Sequence, residues 1–252
     1  LADKVIGSKN SLSLGWHYRS RHTSLIDFSN HYFYDNKLTV FASNDVGSQV
    51  VHKPVENSQY RGGVNLPEVK AVMDALLEQI KSDKEKSIII ATMNQQQESE
   101  VTLALEAEMQ NNKMLRDFDS KHQGNLDELV VKKLEDIQGD ERDVVIISTV
   151  YGPDEDGKIT QMFGDINRAN GHRRLNVLFT RAKHKVILVT SLRSSNIKES
   201  KREGPQILKK YLEYAEKGEI TDLDRRTSGT TENAFEESIR QALTNRGYVV
   251  DA

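Results

Sequence analysis

The residues whose types and spacing could do chemistry are two sets of arginines, an acidic turn and a polar trio. Arg173, Arg174 and Arg181 lie in GHRRLNVLFTRAKHKVILVTSL, where a helical segment carrying all three leads straight into the apolar run Lys185 to Thr190. A guanidinium stays ionised and presents a fork of donors that matches carboxylate and phosphate oxygens. Arginines set just before a buried strand therefore suit an anionic ligand, although a solvated helix face accommodates them equally. Arg19 and Arg21 are interleaved with rings in SLSLGWHYRSRHTSLIDFSNHYFYDNKLTVF. Leu25, Phe28, Tyr32 and Phe33 recur there at helical spacing and predict a helix packed by its aromatic face, which explains the rings but not the arginines.

The acidic turn is DIQGDERD, in which Gln138 and Gly139 precede Asp140, Glu141, Arg142 and Asp143 and the apolar run Val144 to Ile147 follows. A carboxylate in such a turn accepts a hydrogen bond from a sugar hydroxyl, or pairs with Arg142 on the surface. The polar trio, Thr92, Asn94 and Gln97, follows the apolar run Ile88 to Ala91 at a strand-to-helix turn. Ligands of open α/β sheets bind at such turns. Alternatively, Thr92 or Asn94 caps the helix. His17, His22 and His31 share a segment, but their spacing matches no common zinc pattern, so no metal site is expected.

Behind these residues stand the elements that must position them. Gln49 to Pro54 reads as a short strand, followed by a polar loop with Gly62 and Gly63. Leu66, Val69, Val72, Met73, Leu76, Leu77 and Ile80 keep a helical rhythm, with Pro67 near the start where its missing N–H costs nothing. Ile88 to Ala91 is a continuous apolar run that suits a strand covered on both faces. A helical pattern resumes after Gln95, residues 111–125 read as a polar surface excursion, and Val130 to Leu134 is strand-like. Tyr151 to Gly171 reads as loops around a short hairpin, and Pro205 to Lys217 as a helix stopped by Gly218. Residues 219–231 lack periodicity and look like a linker; Asn233 and Glu236 then open a further helix, with a strand starting at Tyr248. Strands alternating with helices argue for an α/β fold with a mostly parallel sheet flanked by helices.

Composition bounds the answer. A chain of 252 residues that is 37% hydrophobic buries one substantial core. A formal net charge of −3 excludes a broad basic surface, so any contact with nucleic acid must come from local clusters. The absence of cysteine excludes disulfides, thiolate metal sites and cysteine nucleophiles, and a cytoplasmic location is expected. No apolar run approaches the roughly 20 residues of a membrane helix, and no membrane partner is expected. Beginning at Leu1 and ending in GYVVDA, the chain reads as a piece of a longer protein.

The order of these motifs carries a family resemblance. LGWHYRSRHTSLIDFSNHYFY resembles the fourth motif region of superfamily 1 helicases of the DNA/RNA-dependent ATPase branch, and SIIIATMNQQQ the nucleic-acid-contacting segment after it. LEDIQGDERDVVIIS is similar to motif V and RRLNVLFTRAKHKVILV to motif VI. The resemblance covers roughly residues 11 to 217 and implies a RecA-like fold of the P-loop NTPase type, the second motor domain, over residues 1–218, with a linker at 219–232. The wording YRSRH, QGDERD and FGDINRANGHRRLNV further resembles large bacterial DNA helicases in which a Vsr-like or restriction-endonuclease-like domain follows; residues 233–252 look like its truncated start.

By that resemblance Arg19 and Arg181 are arginine fingers reaching the γ-phosphate of ATP, which is held with Mg2+ mainly by a first RecA-like domain. Glu141 accepts a hydrogen bond from the ribose, with Gln138 and Gly139 shaping the turn, and Thr92, Asn94 and Gln97 contact single-stranded DNA, or RNA. The chain departs from the pattern at Thr92-Met93-Asn94, where relatives carry Thr-Pro-Tyr, and at Lys133, where motif V carries Thr. It contains no GxxxxGK[ST] loop, so alone it is expected not to hydrolyse ATP. A non-catalytic nucleic-acid-binding or docking module, and the delivery domain of a helicase-nuclease, are the alternatives.

Overall fold

The computed structural model describes residues 15–40, 47–124 and 126–221. Leu1–Ile220 is one compact unit and Thr221–Ala252 a second. The expected endonuclease-like start at 233–252, and all of the expected linker beyond Thr221, lie outside the described residues.

The first unit is built on five parallel strands: β1 (Val50–Pro54), β4 (Ile88–Thr92), β5 (Val130–Lys133), β6 (Arg142–Ser148) and β7 (Ala182–Thr190), in the order β1-β7-β6-β4-β5. Two short strands, β2 (Tyr60–Arg61) and β3 (Val64–Asn65), form a separate antiparallel ladder. Among the described residues six α-helices accompany them: α1 (Asp27–Phe33), α2 (Leu66–Ser82), α3 (Gln95–Asn111), α4 (Lys113–His122), α5 (Gly171–Phe179) and α6 (Glu203–Lys217).

Why the apolar runs are continuous is visible in the packing. Successive side chains of a strand point to opposite faces, so a strand covered on both sides needs apolar residues at every position. Ile89, Ala91, Val145, Ile147, Val186 and Leu188 enter one core, with α1, α5 and α6. Ile88, Ile90, Val144, Ile146, Ile187 and Val189 enter the other, with α2, α3 and α4. The expected mostly parallel sheet flanked by helices is the architecture found.

Two expectations change. The polar stretch 111–125 is not an excursion over the surface: Lys113–His122 is a helix whose Leu115 and Phe118 are buried. Asn112 caps it by accepting from the Leu115 amide at 3.3 Å. Its apolar stripe is too narrow among charged residues to announce itself, and the groove beside α2 and α3 supplies the burial that local propensity lacks. The aromatic segment also starts differently, with a 3-10 turn at Thr23–Leu25 before α1. From α1 Phe28 enters a ring cluster with Phe179, Tyr211 and Tyr214.

Candidate functional site

The starts of the central strands gather the arginines. Arg142 opens β6 opposite Ala182, which opens β7, so the turn before β6 and the α5–β7 junction are neighbours. The segment before α1 runs alongside, with the Arg21 amide donating to the Lys183 carbonyl at 2.8 Å and Ser20 Oγ to the Ala182 carbonyl at 3.2 Å. Arg19 is thereby delivered to Glu141, 122 positions away in sequence, and its Nε donates to Glu141 Oε2 at 2.7 Å. Lys183 Nζ approaches Glu141 Oε1 at 3.3 Å. The Arg19 hydrogen bond, with Lys183 in support, holds the Glu141 carboxyl below the usual carboxylate range.

Arg181 lies not on the helix, as its sequence context suggests, but between the end of α5 and β7. Its Nε donates to the Val177 carbonyl at 2.8 Å, Nη1 to the Asp140 carbonyl at 3.3 Å and Nη2 to Thr180 Oγ1 at 3.3 Å. Burial pushes its pKa down, and Arg19 pushes the same way. Burial and the two guanidiniums also lower His17 to about 4, so its ring is neutral at physiological pH. Trp16, Tyr18, Arg19, Tyr34, Thr180 and Arg181 line a cavity of 380 Å³. Trp16 and Tyr18 are 54% and 61% exposed, which is unusual for large rings. Glu141 does not pair with Arg142 on the surface; Arg142 is buried and donates to the carbonyls of Glu128 and Glu141. Gly139 turns the chain at φ +95° and Gln138 is exposed beside it. Of the helix arginines, Arg174 is tied to Asp165 at 3.3 Å and Arg173 is exposed.

The polar trio lies at the opposite ends of the strands. The 7 residues of β6 put the two clusters about 20 Å apart at about 3.3 Å per residue. Asn94 caps α3, accepting from the Gln97 amide at 2.8 Å, and its Nδ2 donates to the Gly63 carbonyl at 2.8 Å. Thr92 and Gln97 are both fully buried. Thr92 Oγ1 donates to the Asn94 carbonyl, while Gln97 binds both backbone groups of Asn65 and donates to Ser148 Oγ. In this conformation neither of those two side chains is on the surface to touch a strand; Asn94, with the exposed Gln95 and Gln96, is what the turn presents. Lys133 Nζ is engaged by Asp136 at 3.3 Å.

Four residues escaped sequence reading. Trp16 and Tyr18 belong to the aromatic run that helical packing accounted for, and Lys183 carried no reading of its own. Glu68, fully buried, carried none either. Among the described residues no three His, Cys, Asp or Glu side chains gather as a metal site. Among them, too, no helix is long and apolar enough to cross a membrane.

Residues 2–193 match a family described as an AAA domain. The chain belongs to that family. An uncharacterized ATP-dependent helicase of Mycoplasma genitalium is 32% identical to this AAA domain over 211 residues, which make up 81% of the chain and 18% of that protein. Its Mycoplasma pneumoniae homolog is 33% identical with the same coverage. A putative helicase, mov-10-B.1, of Danio rerio is 29% identical over 199 residues, 68% of the chain and 18% of that protein. The chain thus spans about a fifth of the length of these relatives. Among solved structures, the C-terminal domain of a possible DNA helicase from Lactobacillus plantarum shares 17% identity at a TM-score of 0.34, covering 69% of this chain and 88% of that one.

Proposed function

We propose that this AAA domain is the second, RecA-like motor domain of an ATP-dependent superfamily 1 DNA helicase. The observation that carries the reading is the convergence of Arg19 and Arg181, far apart in sequence, on one cavity, with Glu141 held beside it by Arg19. Phosphoryl transfer spreads negative charge over the γ-phosphoryl oxygens, and in this reading the two guanidiniums stabilise it for a nucleotide held with Mg2+ by the first RecA-like domain. The residues present fit that role: one cavity is lined by two cations and by exposed rings on which a base can stack, and the Glu141 carboxylate, able to accept from a ribose hydroxyl, is bound to one of those cations.

Arg19 is parked on Glu141, and Arg181 on the carbonyls of Val177 in its own turn and Asp140 in the acidic turn. A closing first domain therefore competes with these contacts, and releasing them couples lobe closure to nucleotide state. The other end of the sheet supplies the track for single-stranded DNA, or RNA, through Asn94 and the exposed first turn of α3, with Thr92 and Gln97 acting from inside. Backbone and phosphate contacts of that kind hold a strand without reading its sequence.

The test is Arg181→Ala in the full-length protein. ATP turnover falls about 1,000-fold or more, the worth of an arginine finger, while affinity for a single strand stays within about twofold because the clusters are about 20 Å apart. Wild-type turnover in the variant refutes the reading.

A further inference from the structure

Glu68 stands outside every role assigned so far. Its carboxylate is fully buried in the first turn of α2, with no lysine or arginine among its hydrogen-bond partners. Oε2 accepts from Ser148 Oγ at 2.7 Å and from the Val150 amide at 2.8 Å. Oε1 accepts from the Ser191 amide at 2.7 Å and from Thr149 Oγ1 at 3.3 Å, with Asn65 Nδ2 at 3.4 Å. These donors come from the end of β6, the turns that leave β6 and β7, and Asn65, the residue before α2. Burial pushes the Glu68 carboxyl up, and the hydrogen bonds from Ser148, Val150 and Ser191 oppose it.

A buried charge is a poor device for stability alone, since a well-packed neutral side chain serves as well or better. What a carboxylate does well is hold several donors at one point, and here they converge from separate turns. One of those turns is strained. Val150, β-branched and fully buried, sits at φ +69° in the left-handed region. Its amide is held by Glu68 and its carbonyl by Asn65 Nδ2 at 3.0 Å. Asn65 also binds Gln97 through both backbone groups, and Gln97 reaches Ser148. Through Gln97 the network fixes the first turn of α3, on which Asn94 stands. The turns after β6 and β7 and the start of α3 are thus joined in one hydrogen-bonded network with Glu68 at its centre.

We propose that Glu68 is the positioning residue of the single-strand track: without touching nucleic acid, it sets the turns after β6 and β7, and through Asn65 and Gln97 the α3 turn, at the spacing that grips successive phosphates. This rests on the reading above that the edge carries a strand. Ser148 offers a clean probe, because it is fully buried and cannot meet a ligand itself. Ser148→Ala removes its hydrogen bonds to both Glu68 and Gln97.

The experiment measures binding of a fluorescein-labelled oligothymidylate to the 252-residue chain by anisotropy, for wild type, Glu68→Gln and Ser148→Ala. It is run where far- and near-ultraviolet circular dichroism of the three coincide. Each variant raises Kd about tenfold, the equivalent of one or two lost charge-assisted hydrogen bonds. A residue that only stabilised the fold would lower the melting temperature and leave Kd unchanged; variants with wild-type Kd overturn the proposal. If Glu68→Gln does not fold, Ser148→Ala alone decides. Absence of binding by the wild type would instead overturn the strand-track reading on which the proposal stands.

Discussion

Phe28→Ala tests how packing holds the arginine cluster together. Phe28 is 2% exposed and its ring centroid lies 4.7 Å from that of Tyr32, 5.0 Å from Tyr211, 5.7 Å from Tyr214 and 5.8 Å from Phe179. Four neighbouring rings cannot collapse into the space left by a phenyl group. The Phe179–Tyr211 stack, with centroids 3.4 Å apart and planes within 5°, already fixes two of them. The cost therefore falls within the range for large aromatic truncations, about 4 kcal/mol. For a chain of this size that becomes a fall of about 8–16 °C in melting temperature. Circular dichroism at matched concentration reads it. The consequence for the site is local, because α1 is a helix of 7 residues that depends on Phe28 and Ser29 for its burial. Loosening it frees the preceding segment, so trypsin cuts after Arg19 and Arg21 faster than in wild type under native conditions. A melting temperature within about 3 °C of wild type, with unchanged cleavage, would show that the ring cluster does not anchor α1.

Two more predictions concern backbone contact and protonation. Gly204 in α6 and Gly171 in α5 both face the Ile166 carbonyl oxygen, which a Cβ would approach to 1.9 Å and 2.1 Å respectively. Alanine is ordinarily the better helix former, but here the clash outweighs propensity, and Gly204→Ala destabilises by about 2 kcal/mol in denaturant titration; a neutral or stabilising effect would mean that α6 shifts freely. His17 is lowered from 6.5 to about 4 by burial and by Arg19 and Arg181, so the unfolded chain binds its proton more readily. Stability therefore falls as pH drops from about 6.5 toward 4, in the same sense as for the lowered His52 and His184. His17→Gln makes the melting temperature less dependent on pH across that window, and an unchanged slope would exclude His17 as a contributor.

Much of the fold was legible in residue order, because hydrophobic periodicity is local. The unbroken runs at Ile88, Val144 and Lys185 announced strands covered on both faces, and the rhythm from Leu66 to Ile80 announced α2. Asn94 as a cap was legible too, since capping needs only its own turn. The helix Lys113–His122 was not, because its stability comes from a neighbouring groove rather than from its own pattern.

The residues themselves determined that arginines, an acidic turn and a polar trio sit beside buried strands. Which charge meets which was decided by strand order and by the segment before α1 running beside β7. Placing β6 beside β7 sets the acidic turn against the α5–β7 junction, so Glu141 takes Arg19 and Lys183 rather than its sequence neighbour Arg142. The same adjacency at the far ends gathers Ser148, Val150 and Ser191 around Glu68. Nothing in the local pattern around Glu68 marks it, because its partners other than Asn65 lie about 80 to 123 positions away and only the assembled sheet brings their donors to one carboxylate.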